Sequence, residues 1–254
     1  MPLIFTVLAS LAVFVLGALL QLFHPLAQAA TYHHFADCRE WGPVHNAADV
    51  LSNLAILAAG LANLAWVVRN ARRQPAQVCG MVIAAVGLIL TAFGSAYYHF
   101  APSDTTLVWD RLPITEVFAG ILAMLWTSVT GVRAGWSSTL LLTSVSAGTV
   151  LYWAELGSLW PYALLQFGGM AGLAGLTLLH KVDRPRAWAI VIGGYIAAKV
   201  FEMYDFPLWL LTGNLFAGHA LKHIASGFAG LTLLGVVSVR ADTREQEVPQ
   251  MKKG

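Results

Sequence analysis

The chain has 254 residues, 57% of them apolar and 11% charged, with a formal net charge of +2. Ordinary soluble domains carry roughly 25% charged residues; 15 Lys+Arg with 13 Asp+Glu cannot solvate a soluble surface of this size, so hydrocarbon must be the solvent for much of it. So small a net charge excludes an electrostatic nucleic-acid binder, and Cys38 and Cys79 have neither metal nor redox spacing.

An all-α, polytopic transmembrane bundle is therefore expected. A spanning helix needs about 20 apolar residues, and stretches of that length recur at about 3–23, 46–68, 78–99, 111–132, 136–155, 160–180, 186–204 and 211–238. These eight form a single transmembrane domain over 1–240, and the charged stretch 241–254 reads as a disordered tail. The first span ends in His24-Pro25-Leu26-Ala27-Gln28-Ala29-Ala30, which has the small-residue look of a signal-peptidase site. No Lys or Arg precedes its apolar run, and the run is long for a signal core, so retention is expected. Punctuation falls in the breaks, as in Arg69-Asn70-Ala71-Arg72-Arg73-Gln74-Pro75, Pro102-Ser103-Asp104 and Lys181-Val182-Asp183-Arg184-Pro185-Arg186. Gly168, Gly172 and Gly175 stand at small-residue spacing in the sixth span, which predicts close helix packing there.

The basic residues segregate along this map. Arg69, Arg72, Arg73, Arg133, Lys181, Arg184, Arg186, Arg240, Arg244, Lys252 and Lys253 follow even-numbered spans, whereas only Arg39 and Arg111 follow odd-numbered ones. The positive-inside rule then puts both termini in the cytoplasm.

With that orientation, most intramembrane polar residues collect at the extracytoplasmic end. Span three ends in Gly94-Ser95-Ala96-Tyr97-Tyr98-His99, span four opens at Asp110, and span eight carries His219 and His223 in its first turns. Glu155 closes span five, Glu202 and Asp205 close span seven, and Asn46, Asp49, Ser52 and Asn53 open span two. Ionisable groups at membrane depth face a cavity, a partner or an ion. His219 and His223, four residues apart, share a helix face, and His99 is the third imidazole at that depth. Three imidazoles plus a water make an open zinc site. Ser95 lies one turn from His99, and Asp110 offers a carboxylate for proton transfer.

Blander readings exist for each residue. The histidine pair would serve as an interhelical hydrogen-bonding element, and Ser95 as packing glue. Asp110 would pair with Arg111 in a loop, Asn46, Asp49 and Ser52 would cap span two, and Lys199 would neutralise Glu202.

Ser95-x-x-x-His99, then Asp110, then His219-x-x-x-His223 in the last span, resembles the alkaline ceramidases. It also resembles their wider superfamily, which includes the adiponectin-receptor-like proteins. The string Gly94–His99 and the pair Ser52-Asn53 are more similar to the ceramidase branch, and the likeness covers roughly residues 37–230. The resemblance implies a seven-helix core, here with one added N-terminal span, in a bacterial inner membrane. It implies zinc on His99, His219 and His223, with Asp110 and Ser95 against the zinc water or the reacting carbonyl. The reaction implied is cleavage of a ceramide-like lipid's amide into fatty acid and sphingoid base, at a site reached laterally from the bilayer. Calcium in the family sits before the first core helix, where this chain offers Asp37, Glu40, Asn46 and Asp49, although Asn46 stands where a carboxylate is expected. Two other functions fit less well: an adiponectin-receptor-like sensor with a structural zinc, and a metal or proton transporter using Lys199, Glu202 and Asp205.

Overall fold

The computed structural model describes residues 3–70 and 77–237. Among them there is no β-strand, only one bridge between Trp41 and Val44. The long helices are α1 (Leu3–Phe23), α2 (Ala47–Asn70), α3 (Val78–Phe100), α4 (Asp104–Thr130) and α5 (Trp136–Leu156). Then come α6 (Trp160–Ala163), a π-helical stretch (Leu164–Gly168), α7 (Gly169–Leu178), α8 (Pro185–Met203), the short α9 (Asp205–Leu211) and α10 (Gly218–Thr232). Four of these, α1 to α4, are long and apolar enough to cross a membrane, and α8 with α9 makes a fifth if that pair, bent by 77°, counts as one span. The proposed tail 241–254, along with Arg72 and Arg73, lies outside the described residues.

Three features differ from the sequence expectation in ways that matter. Helix α4 starts at Asp104, not near 111, because Ser103 and Thr106 form a capping box there: each side chain bonds the other's backbone N–H. Asp110 and Arg111 therefore lie inside a helix and not in a loop. The last helix starts at Gly218, not 211, because α9 is a separate element.

The third difference concerns glycine. Gly168, Gly172 and Gly175 face open space and bring no helix close. Close packing occurs instead on α3, where Gly80, Gly87 and Gly94 recur every seven residues against α4. A Cβ on Gly80 would lie 2.6 Å from the Gly120 carbonyl, and one on Gly87 2.9 Å from the Val117 nitrogen. Gly94 meets the Trp109 carbonyl with no room for a Cβ at all. Pro113 supplies no N–H to that same carbonyl four residues earlier, so α3 packs on a point where the α4 ladder is already open.

The core follows this seam. The main apolar cluster joins α2, α3 and α4 to α7 and α8, with Met81, Met124, Leu173 and Trp188 fully buried. In α3 and α4, 61% of the apolar stretch is buried, against 11% in α1, which therefore lies on the outside. Helix α1 docks through Gly17 on the Pro161 ring, with Trp160 donating to the His24 carbonyl. Helices α2 and α10 are tied by Asn63, whose amide donates to the Gly230 carbonyl at 2.9 Å.

Candidate metal centre

His99 lies in the last turn of α3, and His219 and His223 open α10. All three are buried and offer ligand nitrogens within 4.8 Å of one another. Their ring centroids form a nearly equal triangle, with sides of 4.7, 4.9 and 5.2 Å. Among the described residues this is the one group of three or more His, Cys, Asp or Glu side chains placed to hold a metal ion.

Each imidazole is held by a different element. The His223 Nδ1 lies 2.8 Å from the Ser52 hydroxyl and 3.1 Å from the Asp49 carbonyl, so α2 fixes that ring and leaves Nε2 facing inward. The start of α10 is anchored by Asp205, whose carboxylate accepts the His219 N–H at 2.8 Å and the Ala36 N–H at 2.9 Å. This side chain satisfies a first-turn donor that no residue of α10 caps. Gly218 is required there because a Cβ would strike the Phe201 carbonyl. The backbone of His99 is pinned by Asn46, which reaches its carbonyl at 2.8 Å from a left-handed conformation (φ 47°) that asparagine tolerates better than most residues.

Sequence reasoning missed the role of Asp49. Its carboxylate is fully buried, neither oxygen has a hydrogen-bond partner, and Oδ2 lies 3.9 Å from His99 Nδ1. A carboxylate behind a ligating imidazole fixes the ring's orientation and raises its basicity. The signal was available: Asp49 stands three and four residues before Ser52 and Asn53, on one face of α2. Asp49 thus lies beside His99, without a hydrogen bond to it. The other calcium candidates disperse. Asp37 is buried in a bidentate pair with Arg39 (2.6 and 2.8 Å), Glu40 pairs with His45 at 2.5 Å on the surface, and Asn46 is engaged by His99. Burial disfavours the Asp37 carboxylate, but the Arg39 hydrogen bonds outweigh it and hold its pKa below the usual value. Asp37, Glu40 and Asp49 form no joint carboxylate group.

A cavity of about 140 Å³ opens beside His223, the one of the three histidines that lines it. Its polar end is formed by Ser95, Asp110 and His223. The Ser95 hydroxyl lies 3.4 Å from His223 Nε2 and within reach of the Asp110 carboxyl. Ile121, Met170 and Leu233 line its apolar arm; from Asp110 to Ile121 the α4 axis advances about 16 Å. Lys222 and Lys199 also face this cavity and share Glu202, at 3.0 and 2.7 Å. The expected neutralisation of Lys199 by Glu202 is present, with a second ammonium added to it. Lys222 also donates to His219 Nε2 at 3.1 Å. Metal on that nitrogen requires the ammonium to withdraw onto Glu202. Glu155 is exposed and not among the cavity's lining residues.

The donor set suits a divalent transition metal: three imidazole nitrogens from two helices, and no fourth group among the described residues. No protein-family model, no curated protein and no solved structure matches this chain.

Proposed function

We propose that this chain is a zinc-dependent intramembrane hydrolase that cleaves the amide bond of a ceramide-like lipid. One observation carries the reading: of three converging buried imidazoles, that of His223 shares a cavity wall with a serine hydroxyl and a buried carboxylate, next to an apolar arm suited to an acyl chain. The motif order Ser95, His99, Asp110, His219, His223, similar to that of alkaline ceramidases, supports the same choice. A sensor with a purely structural zinc would call for a fourth protein ligand, and the histidine group has three members among the described residues.

Zinc held by His99, His219 and His223 would supply Lewis acidity and a water of lowered pKa. The remaining steps belong to the chain. Asp110 takes a proton from the attacking water and returns it to the leaving amine nitrogen. Ser95 donates its hydroxyl hydrogen to the carbonyl oxygen as charge develops there. The apolar arm holds the acyl chain, so the amide carbonyl comes to rest at the polar end. Fatty acid and a free amine leave toward the bilayer.

We read the membrane arrangement as eight spans, a seven-helix core plus α1, with the α6–π–α7 run as one span and α10 with the 3-10 turn that follows it (Leu233–Gly235) as the last. Both termini are then cytoplasmic and the metal centre faces the extracytoplasmic side. Labelling of single cysteines introduced at positions 34 and 72 tests this. An impermeant reagent added outside should reach position 34, and reaction at 72 instead would reverse the topology.

The chemical test is Asp110→Asn, with metal analysis and product detection on a panel of amide lipids. The variant should keep its zinc and lose roughly 10²–10⁴-fold in turnover. Wild-type turnover with zinc bound would overturn the assignment of the base.

A further inference from the structure

Arg111 takes no part in the steps above, yet its setting is unusual for a cation. It lies inside α4, only 5% exposed. The guanidinium carbon sits 4.3 Å from the centre of the Trp153 ring and 5.2 Å from those of Tyr32 and Tyr162. Nη2 donates to the Gln28 side chain at 2.5 Å, while Nη1 is buried with no hydrogen-bond partner. None of the ion pairs found among the described residues includes Arg111; the aspartate beside it in sequence points about 100° away around the helix. Three aromatic faces and a neutral amide ease the burial of this charge but do not neutralise it.

Arg111, Tyr32 and Tyr162 line the same cavity as Ser95 and Asp110. Elsewhere on that wall two ammoniums share one carboxylate, so the side chains facing the cavity are net positive even with Asp110 ionised. A buried, desolvated guanidinium on a cavity wall, with an N–H that no protein acceptor meets, is suited to an oxyanion, because charge-assisted hydrogen bonds are the strong ones.

We propose that Arg111 binds an anionic group on the substrate's head, a carboxylate, sulfonate or phosphate, so that among N-acyl lipids one with an acidic head binds more tightly than its neutral counterpart. The inference rests on the lipid-amidase reading for its chemistry, but its test reads binding alone.

N-lauroylglycine and N-lauroylethanolamine share a chain and an amide and differ in charge. Binding of each to the purified protein in a neutral maltoside detergent can be followed by tryptophan fluorescence, since Trp153 stacks on Arg111. The wild-type protein should bind the acidic lipid about tenfold more tightly or better, the worth of one charge-assisted hydrogen bond. Arg111→Gln should abolish that preference and Arg111→Lys should keep most of it. Repeating the pair after chelation separates Arg111 from capture of the carboxylate by the metal, and the preference should persist. Equal affinities in the wild type, which require no variant to fold, would refute the proposal, as would a preference unchanged in Arg111→Gln or lost on chelation. Displacement of the lipid by millimolar acetate or inorganic phosphate would assign the site to a small free anion and overturn the lipid part. Hydrolysis of neutral amides without acidic preference would sink this inference and leave the amidase standing; acidic preference without hydrolysis of either lipid would do the reverse.

Discussion

Two regions of the bundle use polar and small residues in opposite ways. Where α2, α3, α4 and α10 meet, glycines bring backbones together, and polar side chains reach across helices: Asn63 to Gly230, Ser52 to His223, Asn46 to His99. On α5 three hydroxyls fold back onto their own chain, Thr139 onto Gly135, Ser144 onto Leu140 and Thr149 onto Ser146. The glycines of the π-helical stretch and α7 mostly face open space. A hydroxyl satisfied by its own backbone fixes nothing beyond its helix. One bonded across a seam fixes the rotation of two helices, and the three histidines lie among such bonds.

The largest effects should therefore come from the cross-helix seam. Replacing His99, His219 or His223 by Ala should reduce bound zinc to background and hydrolysis by about 10³-fold or more, since two imidazoles rarely hold a catalytic zinc. His180→Ala, outside the seam, should change neither quantity. Zinc at full stoichiometry in all three variants would remove the metal from this site.

Asp49→Asn comes next. Loss of a supporting carboxylate typically weakens metal binding about 10–100-fold, measurable by competition with a chelator of known affinity. Unchanged affinity would reduce Asp49 to a helix-packing residue. Gly94→Ala tests the seam without touching a polar group. The added Cβ meets the Trp109 carbonyl, so α3 and α4 must move apart, and a loss of about 1–3 kcal/mol is expected from overpacking. Thermal unfolding in detergent reads it, and turnover should fall with it, because Ser95 and Asp110 are carried on those two helices.

The membrane character and the identities of the three histidines were legible in the sequence because both depend on composition and residue type. Hydropathy finds apolar runs wherever they occur, and imidazoles at helical spacing remain on one face whatever surrounds them. Tertiary contacts were not legible. Asp205 as the cap of α10 depends on a 77° bend; Pro207 marks a break in the helix there, but not its angle or what the bend brings together. The separate helix α9 concealed the true start of the last helix within a continuous apolar stretch. Asp49 was visible, but its use was not, since a carboxylate at a helix start reads equally as a cap, a calcium ligand or a partner for histidine. The glycines misled for a physical reason. Spacing shows that small residues share a face, but not whether another helix lies against it. The heptad Gly80, Gly87 and Gly94 had the same visibility as Gly168, Gly172 and Gly175, and only the first set has a partner.

That difference yields the smallest predicted effect. Gly172→Ala on α7 puts a methyl group into open space, with no atom within 4 Å of the new Cβ. Nothing must move, and the folded helix gains the usual propensity advantage of alanine over glycine, up to about 1 kcal/mol in water. In a bilayer much of that gain is absent, because lipid already enforces the helix. Stability should therefore change by no more than about 0.5 kcal/mol in either direction, with bound zinc and turnover as in the wild type. The same substitution at Gly94 should be clearly destabilising, so the pair, measured side by side, isolates packing from intrinsic propensity. A Gly172→Ala variant destabilised as strongly as Gly94→Ala would show that α7 packs against a partner in the membrane, such as a second copy of the chain. It would also bring the two regions under one rule.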